Sequence, residues 1–161
     1  MRGYEDEFGL LAELAIALVG FAGVAAAFAG RERAFRATER VRLVTLFLNS
    51  GLVLSGCAGV HILLLAELAP EIVFRTVSLY LAVLVPVASL PFLFQAYRFA
   101  RDPDSTSEPW ALYLTSAQVL IVLTLLSVNV LLATPHFLAG AFWLEILHGL
   151  WMFWRLLTRP N

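Results

Sequence analysis

The chain has 161 residues, 60% of them apolar and only 14% charged, with a mean hydropathy of +0.82; soluble domains run nearer about 45–50% apolar and about 25% charged. Several membrane spans of about 20 residues each leave no length for a sizeable soluble domain beside them. All eleven basic residues are Arg, and Cys57 is the single cysteine. The composition therefore excludes Schiff-base chemistry on a lysine amine, an internal disulfide and a paired-thiol relay, and a net charge of -1 argues against a nucleic-acid partner.

In chain order, the stretch 9–29 is apolar apart from Glu13 and predicts a first span. Ala27-Phe28-Ala29 resembles a small-residue cleavage site, but the residues before it are acidic (Glu5, Asp6, Glu7 against Arg2) where a signal peptide is basic, so the first helix is expected to be retained. A charged, helix-compatible connector from Arg31 to Arg42, with Glu32 and Arg36 at i, i+4 spacing, leads into a second span at about 43–66. Pro70 and Glu71 mark a helix start, and a third span follows at about 72–97. The polar stretch RDPDSTSEPW reads as a loop, and Ser107, Glu108 and Pro109 start a fourth span at 110–132. Thr134-Pro135 makes a tight connection to a last apolar stretch at 137–157, which Glu145 and His148 weaken. It reads as a fifth span, with an amphipathic surface helix as the alternative. The expected fold is a single all-α membrane domain covering residues 1–161, a polytopic helix bundle.

Arginine placement gives the orientation. Arg31, Arg33, Arg36, Arg40, Arg42, Arg98, Arg101, Arg155 and Arg159 all fall on one side of a five-span arrangement, with Arg2 and Arg75 on the other. The expectation is a multi-pass protein of the bacterial inner membrane, with its amino terminus outside and its carboxyl terminus in the cytoplasm. Trp110, Trp151 and Trp154 fall at the inner boundary, as an aromatic belt does.

Ionisable groups within a bilayer cost at least about 2.5–3.5 kcal/mol at the centre, so those in the spans are the functional candidates. Glu13, His61, Arg75, Asn129, Glu145 and His148 are expected toward the outer half, and Asn49, Ser50, Gln95, Thr115 and Gln118 toward the inner half. His61, Arg75, Asn129, Glu145 and His148 are read as a buried polar cluster or proton relay opening outward, with Glu145 and His148 at i, i+3 on one face. The structural alternative is mutual pairing, such as Arg75 with Glu13 or Glu145, holding the bundle in register. No cofactor or metal is expected, with haem as the alternative. Haem needs two axial ligands at similar depth, and His61 and His148 differ by about 9 Å along the bundle, while His136, a better match to His61, stands at a loop. Zinc lacks clustered thiolates or imidazoles.

The first helix carries the most organised pattern. Glu13, Ala17, Gly20, Val24, Ala27 and Arg31 recur at alternating steps of four and three, forming one stripe with an acid at one end, small residues between and Arg at the other. Gly23 and Ala27 add a small-xxx-small pair. Such a stripe either packs helices closely or lines the axis of an oligomer, and its layout resembles the pore helix of Orai-type calcium channels. Pro86 and Pro91 free carbonyls near Ala82 and Val87 in the third span, a device for a structural kink. Thr115, Gln118, Val122, Leu125 and Asn129 form a mildly polar stripe on the fourth span, expected to face protein or water.

The GFAGVAAA stretch at 20–27 and the RLLTRP ending at 155–160 resemble small uncharacterised bacterial multi-span membrane proteins, a resemblance that implies no activity and no catalytic residue. The sequence thus points to an ion or proton channel, or a small transport protein, built as a homo-oligomer in the lipid bilayer. The reading from another class is a non-catalytic accessory or scaffold subunit of a larger membrane complex. An enzyme is disfavoured because no nucleophile-and-base constellation stands out.

Overall fold

The computed structural model describes residues 2–32, 37–101 and 109–158. Within them the chain forms five helices, α1 (Arg2–Glu32), α2 (Ala37–Leu65), α3 (Pro70–Ala100), α4 (Pro109–Leu132) and α5 (Pro135–Leu157). Each is long and apolar enough to cross a membrane. Even α5, the shortest at 23 residues, extends about 35 Å against a hydrocarbon core of about 30 Å. Arg33 and Arg36 of the first connector, most of the 101–110 loop, and Arg159 lie outside the described residues, as does the Arg31 side chain.

α2 and α5 pack on each other at the centre, α1 lies against both, α3 against α2 and α4, and α4 against α3 and α5. Half of the apolar stretch of α2 and of α5 is buried in the bundle, against 22% for α3 and 17% for α4. α5 is therefore a central helix, which disposes of the surface-helix alternative. Its polar residues lower its apolar character because they point inward: Glu145 and His148 are both buried.

The buried apolar residues form two groups. The larger holds Leu11, Val53, Val73, Leu81, Leu126 and Leu138 among others, and the smaller, toward the end that carries Arg42 and Arg155, holds Ala22, Leu46 and Met152. Lipid tails are as apolar as these side chains, so association of the helices rests on close packing and internal hydrogen bonds rather than escape from water. Gly56 on α2 supplies the closest approach, because a Cβ there would run into the Phe142 ring on α5 and lie 3.0 Å from Leu81 Cδ1 on α3. A T-shaped contact of Phe142 with Phe8, centroids 5.9 Å apart, brings α1 into the same packing.

The α2–α3 and α4–α5 turns are closed by non-glycine residues in the left-handed region. Glu67 has φ 57°, and Leu68 N donates to Leu63 O and Glu67 N to Leu64 O, the paired bonds that finish a helix in a Schellman motif. Ala133 has φ 52° and donates to Asn129 O at 2.8 Å. The next backbone donor, Thr134 N, is taken by the Asn129 side-chain Oδ1 at 2.9 Å, while Asn129 Nδ2 donates to Ser78 Oγ on α3 at 2.8 Å. Thr134 then precedes α5, and Pro135 occupies its first turn, where a missing N–H costs nothing.

Candidate functional site

Between the two apolar groups the core is interrupted by polar side chains from three helices. His148 on α5 is reached at Nδ1 by Asn49 Nδ2 of α2, 2.9 Å away, and at Nε2 by Thr115 Oγ1 of α4, 3.3 Å away. An amide nitrogen only donates, so Nδ1 is the accepting nitrogen and the neutral ring carries its proton on Nε2, facing Thr115. One helical turn away, the Glu145 carboxyl lies against the Gln118 side chain of α4, yet Gln118 Nε2 completes no hydrogen bond. Ser50 Oγ, beside Asn49 in sequence, is likewise buried without a partner. All of Asn49, Ser50, Gln118, Glu145 and His148 are buried.

The imidazole is also fixed from the side. The Trp151 ring stacks on His148 at 5.4 Å and 22°, and the Arg155 guanidinium sits 5.1 Å from the Trp151 ring centre and 5.0 Å from that of Trp110. Arg42 Nη1 on α2 donates to the Arg155 carbonyl at 3.2 Å. Glu145, His148, Trp151 and Arg155 thus make one column along α5, polar at mid-bundle and cationic at the end. Below Glu145, Phe142 packed on Gly56 closes the bundle interior.

The expected cluster is divided by the fold. Glu145 and His148 join Asn49, Thr115 and Gln118, residues that sequence depth alone assigned to the opposite half. Asn129 is fully buried but belongs to the α4–α5 turn described above. His61 and Arg75 are exposed on the outside of α2 and α3, so neither pairs with the buried Glu145. His136 is exposed as well, its ring edge-on to Tyr4 at 6.1 Å. Both ring nitrogens of His148 are engaged by side chains of α2 and α4, and no group of three His, Cys, Asp or Glu that could hold a metal occurs among the described residues.

The stripe on α1 lies together on a single face, and that face is uncovered. Glu13, Ala17, Gly20, Val24 and Ala27 are all exposed, and nothing stands within 4 Å of a Cβ built at Gly20 or Gly23. The buried face of α1 is the opposite one, Phe8, Leu11, Ala15, Leu18 and Ala22. Glu13 lies within the apolar part of α1, six residues beyond the acidic Glu5-Asp6-Glu7. On α4 the polar stripe does turn inward: Gln118, Val122 and Asn129 are buried.

Five apolar helices around a buried polar belt define a multi-pass α-helical membrane protein. No protein-family model, curated protein or solved structure matches the chain.

Proposed function

We propose that the protein is a small transport protein or channel for ions or protons, formed by several copies meeting along the Glu13 face of α1. The observation that carries this reading is Glu13 itself, a carboxylate within an apolar span, exposed on a face that no described helix of the same chain covers. An ionised carboxylate costs about 2.5–3.5 kcal/mol at the bilayer centre and is disfavoured against lipid tails, and the small residues Ala17, Gly20 and Ala27 on the same stripe let a second α1 approach closely enough to remove it from lipid. Within a single bundle Phe142, Gly56 and Leu81 pack tightly between the polar residues and the other end. A pathway between copies avoids that packing. The arginine count supports an orientation with the acidic end of α1 outside the cell.

The test combines oligomeric state with flux. Gly20→Cys in a Cys57→Ser background is expected to cross-link copies in native membranes, whereas Val83→Cys, exposed on α3, is not. Proteoliposomes are expected to show proton or cation flux that Glu13→Ala lowers. A monomer without flux that purifies with a second membrane protein on this face overturns the proposal and leaves the accessory-subunit role.

A further inference from the structure

Six polar side chains face one pocket of about 60 Å³ in the bundle: Thr45 and Asn49 on α2, Ser89 on α3, Thr115 and Gln118 on α4, and His148 on α5. A cavity lined by hydrocarbon stays dry, but a polar one takes up water wherever each molecule finds two to four partners, and one water needs only about 10–15 Å³ of such volume. The space admits about four.

An independent observation points to the same occupant. Gln118 is 9% exposed, lines the pocket, and holds an Nε2 group with no protein partner. A buried amide donor is paired in folded proteins with protein or with ordered water, and the Glu145 carboxyl against which this side chain lies completes no hydrogen bond with Nε2. The Thr115 hydroxyl has spare capacity too: it has one donor and two acceptor sites, and His148 uses one of them. Ser89 adds a hydroxyl from the α3 side.

We infer that this pocket is a binding site for ordered water inside the bilayer, held by Gln118 and Thr115 and in hydrogen-bonded continuity with His148. The titratable groups around it are few. Glu145 and Arg155 share α5 with His148, Glu39 and Arg42 lie on α2 toward the arginine end, and the walls from α3 and α4 contribute only neutral polar and apolar side chains. No residue of α1 lines the pocket, so the inference stands or falls separately from the oligomer.

The experiment uses the full chain in lipid bilayers, labelled with nitrogen-15 histidine and carrying His61→Gln and His136→Gln, so that His148 is the one remaining histidine. Solid-state NMR with magnetisation transferred from water should give a strong His148 ring signal, with Nδ1 unprotonated and Nε2 protonated. Gln118→Leu and Thr115→Val should each weaken the water-derived signal severalfold. A folded protein whose His148 receives no magnetisation from water overturns the inference, and so does a signal unchanged in both variants. If neither variant folds, the histidine-reduced protein decides the matter by itself.

Discussion

Gly56→Ala adds one methyl group where three helices are closest. The new Cβ would come within 2.7 Å of Phe142 Cε1 and 3.0 Å of Leu81 Cδ1, with Phe142 Cζ nearer still. Neither neighbour can retreat easily, since Phe142 is 2% exposed and Leu81 1%, and the Phe142 ring is held by Phe8. Overpacking of this kind costs about 1–3 kcal/mol, while replacing glycine by alanine within a helix returns roughly 0.5–1 kcal/mol. The net expectation is a loss of roughly 1–2 kcal/mol. Gly51→Ala, on the same helix with nothing within 4 Å of its built Cβ, keeps only the gain. Thermal melting in detergent micelles, followed by helical circular dichroism, should place Gly56→Ala below the parent protein and Gly51→Ala at or above it. Phe142→Leu added to Gly56→Ala should recover part of the difference. If Gly56→Ala melts together with Gly51→Ala, α2, α3 and α5 do not meet at this point.

Asn129→Leu strips the part-buried Thr134 N–H and the buried Ser78 Oγ of their partner, which should cost about 2 kcal/mol in the same melting assay. Glu67→Gly relieves a left-handed backbone that a side chain disfavours by about 1–2 kcal/mol and should raise the melting temperature. Arg155→Lys replaces a planar cation between Trp110 and Trp151 by a compact one, so a loss of about 1 kcal/mol should accompany a change in tryptophan fluorescence.

The five helices are legible in the sequence because length and apolar character suffice to mark a span, and the starts at Pro70, Pro109 and Pro135 are marked by residues that suit a first turn. The inward face of α4 is legible for a similar reason: Gln118, Val122 and Asn129 recur at helical spacing. Periodicity gives the Glu13 stripe on α1 but not the direction it faces. Its small residues read equally well as an internal packing surface, and only the competing stripe of Phe8, Leu11, Ala15, Leu18 and Ala22 buries against the bundle. The association of His148 with Asn49 and Thr115 is not legible, since it depends on how α2, α4 and α5 are rotated and shifted against one another. Counting residues down each span separated partners that the fold brings within hydrogen-bonding distance. Gln118 carried a signal, an amide at mid-span, but not its neighbour Glu145. The α2–α3 turn is also hidden, because it is made by Glu67 where glycine is the usual residue.

The central position of α5 has a consequence for how the protein is made. α5 leaves the ribosome after α1–α4, and the residues that weaken its own preference for lipid, Glu145 and His148, are those that complete the middle of the bundle. Until it arrives, Asn49 and Thr115 lack the imidazole that joins them, and the groove between α2 and α4 presents polar groups to the bilayer. Insertion of α5 and assembly of the five-helix bundle are therefore one event. A chain truncated before Pro135 should remain a loose, protease-sensitive set of helices rather than a smaller folded protein, and quality control in the membrane would have a defined defect to recognise.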